Sequence, residues 1–213
     1  MFKSNRLLPC FSLALILAGM SLFMSSAHAH DATSNHDGAK MQADNLFPKV
    51  KLETNFGDVI VELDRTKAPI TVNNFLRYIA KNSYNNTIFH RIVPGFVVQG
   101  GGYTPELQEL PSFGPIINES GNGLKNTTYS ISMARREDPH TANRQFFFNV
   151  NDNTNLDPGK NWGYTVFGEA IEGTEVLDAM AEVETQYELT TGWANYPKEQ
   201  VLLKKVTLVP EGQ

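Results

Sequence analysis

Cysteine is almost absent from this chain: one in 213 residues, Cys10. Lys3 and Arg6 precede an apolar stretch from Leu7 to Met24, and Ala27-His28-Ala29 then supplies a small-x-small cleavage signal. That order is the signature of a secretory signal peptide. The apolar stretch is almost long enough to span a membrane, but polar Ser25-Ser26 and the Ala-x-Ala ending favour cleavage of residues 1–29. Cys10 lies ahead of the apolar stretch and beside Pro9, the wrong place for a lipid anchor. A mature chain without thiols suits an oxidising compartment and excludes thiol catalysis and cysteine metal sites. Stability must then come from an ordinary hydrophobic core, and residues 49–210 are enough for one domain.

Positive charge is also scarce. Removal of Lys3 and Arg6 from 18 basic residues leaves 16 against 23 acidic, a formal charge of −7. Arg135-Arg136 and Lys204-Lys205 are isolated pairs, so no basic stripe tracks a phosphate backbone and nucleic-acid binding is excluded. No later apolar stretch approaches membrane length. Residues 30–48 are polar and cannot bury enough surface to offset their ordering entropy, so a flexible lead-in is expected. His30 and His36 within it read as solvated side chains, not metal ligands. No cofactor is expected.

What is abundant is short β-type segments. Val50, Leu52 and Thr54 alternate with Lys51 and Glu53, and Val59 to Leu63 follows the Asn55-Phe56-Gly57-Asp58 turn, a hairpin pattern. Pro69 opens a helical pattern in which Val72, Phe75, Leu76 and Ile79 form one apolar stripe. Thr87–Val93, Phe96–Gln99, Thr128–Met133, Gln145–Val150, Tyr164–Phe167 and Val201–Val209 read as strands, and Gly173–Val183 as a second helix with Val176, Leu177, Met180 and Val183. Many strands, two helices and no βαβ alternation argue for an antiparallel barrel or sandwich. In Thr87–Val93, strict alternation places Arg91 on the face of Phe89 and Val93. A guanidinium there needs either a buried ion-pair partner or a ligand, and the pattern alone leaves both open.

Phe89-His90-Arg91-Ile92-Val93-Pro94-Gly95-Phe96-Val97-Val98-Gln99-Gly100-Gly101 resembles the cyclophilin signature. Ser132-Met133-Ala134, Gln145-Phe146-Phe147-Phe148-Asn149 and Leu156-Asp157 followed by Val166-Phe167-Gly168 are similar to the family's later segments, in order and spacing. Asn118-Glu119, Gly123-Leu124-Lys125-Asn126, Tyr164 and the signal peptide look like the secreted bacterial subgroup. The resemblance implies a mainly β fold, a closed eight-stranded antiparallel barrel capped by two α-helices. A barrel this narrow fills with side chains, so the site is expected in a groove on its outer wall.

The resemblance also implies peptidyl-prolyl cis/trans isomerisation. Rotation about X–Pro takes tens to hundreds of seconds, against a barrier of ~18–20 kcal/mol set by amide resonance. No bond breaks, so neither nucleophile nor metal is needed. A fixed cation that meets the prolyl nitrogen only in the twisted geometry acts by differential binding. Reaching milliseconds requires about 10⁴-fold, or roughly 5.5 kcal/mol. The family's cation falls on Arg91, whose planar, always-charged fork suits the task. Its substrate-binding positions fall on Phe96, Val97, Gln99, Ala134, Gln145, Phe147, Leu156 and Tyr164. Neither His90 nor His140 sits near a nucleophile turn, which argues against a hydrolase.

Three positions depart from the family pattern. Asn155 stands where eukaryotic members carry a tryptophan used in cyclosporin binding, so weak or no binding of that drug is expected. Tyr164 replaces a common histidine. Arg144 replaces a usually small residue beside Gln145, and its effect on which residues are accepted before proline is left open. The implied partners are proline-containing peptides and unfolded exported proteins, with a monomeric protein in the periplasm. Two other classes compete: a non-catalytic proline-binding or chaperone module using the same groove, and a barrel that carries a small apolar ligand inside.

Overall fold

A computed structural model of the chain describes residues 36–212. The expected signal peptide lies outside the described residues. Ten strands and three α-helices follow in order: α1 (His36–Lys40), β1 (Lys49–Thr54), β2 (Asp58–Leu63), α2 (Pro69–Ala80), β3 (Thr87–Val93), β4 (Val97–Gly100), β5 (Ser130–Met133), β6 (Phe146–Asn149), β7 (Val166–Glu172), α3 (Thr174–Ala181), β8 (Thr185–Glu188), β9 (Trp193–Pro197) and β10 (Val201–Leu208). Eight strands close an antiparallel barrel in the order β1-β10-β3-β4-β6-β5-β7-β2, and β8 and β9 form a separate two-stranded ribbon.

The period-two pattern places the core. Val50 and Leu52 of β1, Val59, Val61 and Leu63 of β2, Ile131 and Met133 of β5, and Phe146 and Phe148 of β6 are all essentially sealed from solvent in one cluster. Large side chains thus occupy the interior, against a barrel that carries an internal ligand. Helix α2 adds Val72, Phe75, Leu76 and Ile79, with the Phe75 ring 5.3 Å from Phe146 and 5.2 Å from Phe167. Helix α3 adds Val176, Leu177 and Met180.

The start of α2 shows a cap that no local sequence supplies. Pro69 occupies the first turn and Ala68 offers no side-chain cap. Instead the Glu119 carboxylate, forty-eight residues away from Thr71, accepts from the backbone N–H groups of Ile70 (3.2 Å) and Thr71 (2.8 Å) and from the Thr71 hydroxyl. A negative charge at a helix N-terminus meets both its orphan donors and its dipole.

Residues 36–48 correct the expected flexible lead-in. Helix α1 lies against α2, with Gly38 so close that a Cβ there would meet the Asn73 carbonyl. Buried Arg65 donates to the backbone carbonyls of Met41, Gln42 and Asn45, and Gln42 Nε2 donates to the Val209 carbonyl. A polar composition hid this because the partners are backbone carbonyls gathered by one distant cation. The β8–β9 ribbon was not legible either; its Trp193 ring packs on His90 and Tyr103.

Candidate active site on the outer wall of the barrel

Strand β3 carries the decisive local feature. Phe89 pairs with Gly100 and Arg91 with Gln99, so the two strands slip at His90 in a β-bulge. Alternation fails there: Phe89 and Ile92 both point into the core, and Arg91 does not share the face of Phe89 as strict period two requires. A bulge re-aims side chains in this way. Gly100 fits because a Cβ at that position would lie 2.8 Å from the Ile88 carbonyl and 2.9 Å from the Phe89 backbone.

Past the bulge, the register brings the expected residues into one row. Arg91 stands opposite Gln99, Gln99 opposite Phe147, and Phe147 opposite Ser132. Arg91, Phe96, Val97, Gln99, Ala134, Phe147, Leu156 and Tyr164 together line a hollow of about 210 Å³. Gln145, the ninth expected residue, lines an adjoining hollow of about 230 Å³ with Glu109 and Asn143. Phe147, 4% exposed, meets Tyr164 edge-on with ring centres 5.6 Å apart. The floor is therefore apolar and aromatic, with a cation at its edge.

The amides orient that cation. Arg91 Nη1 donates to Gln99 Oε1 at 3.3 Å, and Gln99 Nε2 donates to Gln145 Oε1 at 3.0 Å. Among the described residues no carboxylate ion-pairs with Arg91, which leaves most of its donors available to a ligand. Burial lowers its pKa from the ordinary arginine value, with nearby Tyr164 acting in the opposite direction; a guanidinium starting so high remains charged at neutral pH. His90 next to it is different. Packed against the Tyr103 and Trp193 rings, it has its pKa pushed down to about 3 by burial and then by the Arg91 charge, and its Nδ1 has no hydrogen-bond partner among the described residues. It is a neutral packing group and supplies no acid or base.

A buried polar network that sequence reasoning missed holds the far wall. Asn126 Oδ1 accepts from Ser132 Oγ and Asn149 Nδ2, and Asn149 Oδ1 accepts from Asn153 Nδ2 at 2.7 Å. Asn153 also donates to the Phe96 carbonyl, and Asn126 donates to the Asp157 carboxylate. These bonds tie the Leu156 segment to the Phe96 turn, fixing two sides of the hollow. Gly163 closes the loop behind, where a Cβ would sit 2.4 Å from Pro158 N. Arg135 was missed as well: its guanidinium lies 4.5 Å over the Tyr164 ring. Single asparagines and arginines carry no periodic signal, so only their spatial convergence identifies them.

The fold gives Arg144, left open by the sequence, a structural role. It is 3% exposed and donates to the carbonyls of Gly101 (2.7 Å), Pro111 (2.7 Å) and Ser83 (2.6 Å). It lines neither hollow and instead clamps the 101–111 loop. Elsewhere on the wall, a hollow of about 260 Å³ is lined by Phe47, Glu62, Asp64, Lys125 and Glu169. Though larger, it is lined by three carboxylates, and its one cation, Lys125, ion-pairs with Asp157 at 3.5 Å.

The family model for cyclophilin type peptidyl-prolyl cis-trans isomerases matches residues 49–208. The chain belongs to this family. A peptidyl-prolyl cis-trans isomerase of Streptomyces antibioticus is 42% identical over 164 residues, covering 75% of this chain and 98% of the relative. Peptidyl-prolyl cis-trans isomerase B of Escherichia coli K12 is 43% identical over 164 residues, with the same coverage. A cyclophilin type isomerase of Cryptosporidium parvum superposes with a TM-score of 0.64 at 27% identity, covering 78% of this chain and 99% of that one. The same type of protein in the presence of the dipeptide Ala-Pro gives 0.62 at 26% identity, covering 76% and 99%. The chain is a peptidyl-prolyl cis/trans isomerase of the cyclophilin type.

Proposed function

We propose that Arg91 is the catalytic residue of this isomerase and that the prolyl ring of the substrate seats against Phe96, Phe147, Leu156 and Tyr164. The observation that supports this is one half-buried guanidinium, held by a single amide oxygen, at the edge of an aromatic hollow. In the twisted state the prolyl nitrogen gains a lone pair that a planar amide lacks, and an Arg91 N–H donates to it. Preorganised donors of this kind act without reorganisation during the reaction. Gln99 serves twice, orienting Arg91 through its oxygen and reaching the substrate backbone beside Val97. Ala134 and Gln145 border the path of the residues before or after the proline.

The protein's substrates are proline-containing segments of unfolded exported proteins, and it acts in the periplasm after loss of residues 1–29. This rests on the signal-peptide pattern and on the thiol-free mature sequence. Slow proline isomerisation limits the folding of many such chains. It works as a monomer, and Asn155 leaves cyclosporin binding weak. The test is an X–Pro isomerisation assay on the mature protein and on Arg91→Ala. Activity that is unchanged in a folded Arg91→Ala protein removes Arg91 from the mechanism.

A further inference from the structure

A fourth hollow, about 620 Å³, opens beside the proline hollow and is lined by Arg135, Arg136, Glu137, Lys160, Trp162 and Tyr164. Arg135 and Tyr164 line both. A peptide seated in the first therefore reaches the second within about three residues, at ~3.3–3.6 Å per extended residue.

The three cations differ in what they are free to do. The Arg135 guanidinium donates to the carbonyls of Trp162 (2.6 Å), Gly163 (3.2 Å), Arg136 and Glu137, so it builds the wall. Arg136 and Lys160 are exposed and make no side-chain hydrogen bond or ion pair among the described residues. Trp162, 52% exposed, lines the same hollow, its ring centre 5.1 Å from that of His140 in a T-shaped contact. On a chain of net charge −5, this is a local reversal of sign next to the site. Two cations without a side-chain partner among the described residues, in one hollow with an exposed aromatic ring and a single carboxylate, complement an added carboxylate on a short extended peptide.

We propose that this hollow is a specificity subsite for an acidic side chain, a Glu or Asp within about three residues of the substrate proline. The inference rests on the isomerase reading of the neighbouring hollow and adds substrate choice to it. The test uses short peptides with one X–Pro bond and a single Glu moved through the three positions on either side of the proline, each paired with its Gln counterpart. In low salt, kcat/KM for Glu over Gln is expected to reach about three- to tenfold at one or more positions, the range of partly screened ion pairs. Sodium chloride at 1 M, where the screening length is about 3 Å, should erase the preference. The Arg136→Glu/Lys160→Glu variant should invert it, with turnover of Gln peptides showing that the variant is folded. If that variant does not fold, the salt comparison on the wild type still decides. Equal rates for Glu and Gln at every position, or a preference that survives salt and charge reversal, overturns the subsite. Failure to accelerate any Gln peptide overturns the isomerase reading itself, and the subsite with it.

Discussion

Two arginines, half-buried Arg91 and buried Arg144, meet the same physics with opposite outcomes. Burial lowers the pKa of both. Each of the three Arg144 guanidinium nitrogens donates to a backbone carbonyl, and the guanidinium lies 5.2 Å from the Tyr78 ring centre. Arg91 has one amide oxygen. Both are kept in place by the fold, but Arg91 retains more donors for a ligand. Under the proposed mechanism, the number of satisfied donors, and not the lowered pKa, separates the structural arginine from the catalytic one.

The sharpest way to break that contrast is to remove each guanidinium. Arg91→Ala should lower kcat/KM by about 10²–10³-fold while costing no more than ~1 kcal/mol in stability, since one hydrogen bond is lost. Arg144→Met should do the reverse. It strands three carbonyls and should destabilise by roughly 3–5 kcal/mol in urea denaturation, with kcat/KM of the folded protein within about threefold. If Arg144→Met stays stable and loses activity, the clamp assignment is wrong.

Phe147→Ala tests whether the aromatic floor matters as much as the cation. A fall in kcat/KM of about tenfold to a hundredfold is expected, carried mainly by KM, because the hollow loses the ring that meets the proline. A change in kcat alone would point to a disturbed Arg91 instead.

His90 separates packing from charge beside Arg91. Its pKa is about 3 in the folded chain against an ordinary 6.5, so between these values the unfolded chain binds the extra proton. This contribution to stability is complete above pH 6.5 and is lost progressively as pH falls toward 3. Between pH 7 and pH 4.5 the wild type should lose roughly 2 kcal/mol more than His90→Phe. Parallel pH profiles would show that His90 does not titrate in this way. The smallest effect is at the rim: Asn155→Trp should tighten cyclosporin binding by about tenfold by calorimetry, and no change would mean that Asn155 is not the departure that matters.

Much of this site was legible before the fold. Alternation in Gln145–Val150 sends Phe146 and Phe148 one way and Phe147 the other, and the barrel keeps that separation. The same rule failed at Phe89–Arg91, because a bulge depends on how β3 pairs with β4, and pairing is not local. Arg135 and the Asn126–Asn149–Asn153 network gave no periodic signal. Asn149 and Asp157 lie 23 and 31 residues from Asn126, and Trp162 lies 27 from Arg135, so local pattern does not announce these contacts.

The order of residues alone determined the barrel strands and the two apolar helix stripes, because periodicity and residue type act over a few positions. Only the tertiary structure decided that Arg91 faces outward, that Glu119 caps α2, that Arg144 is a clamp and that Arg136 and Lys160 flank a hollow beside the site. Each of these depends on which carbonyls, carboxylates and rings arrive from distant strands and loops, and a charged group is settled by its nearest partners in space.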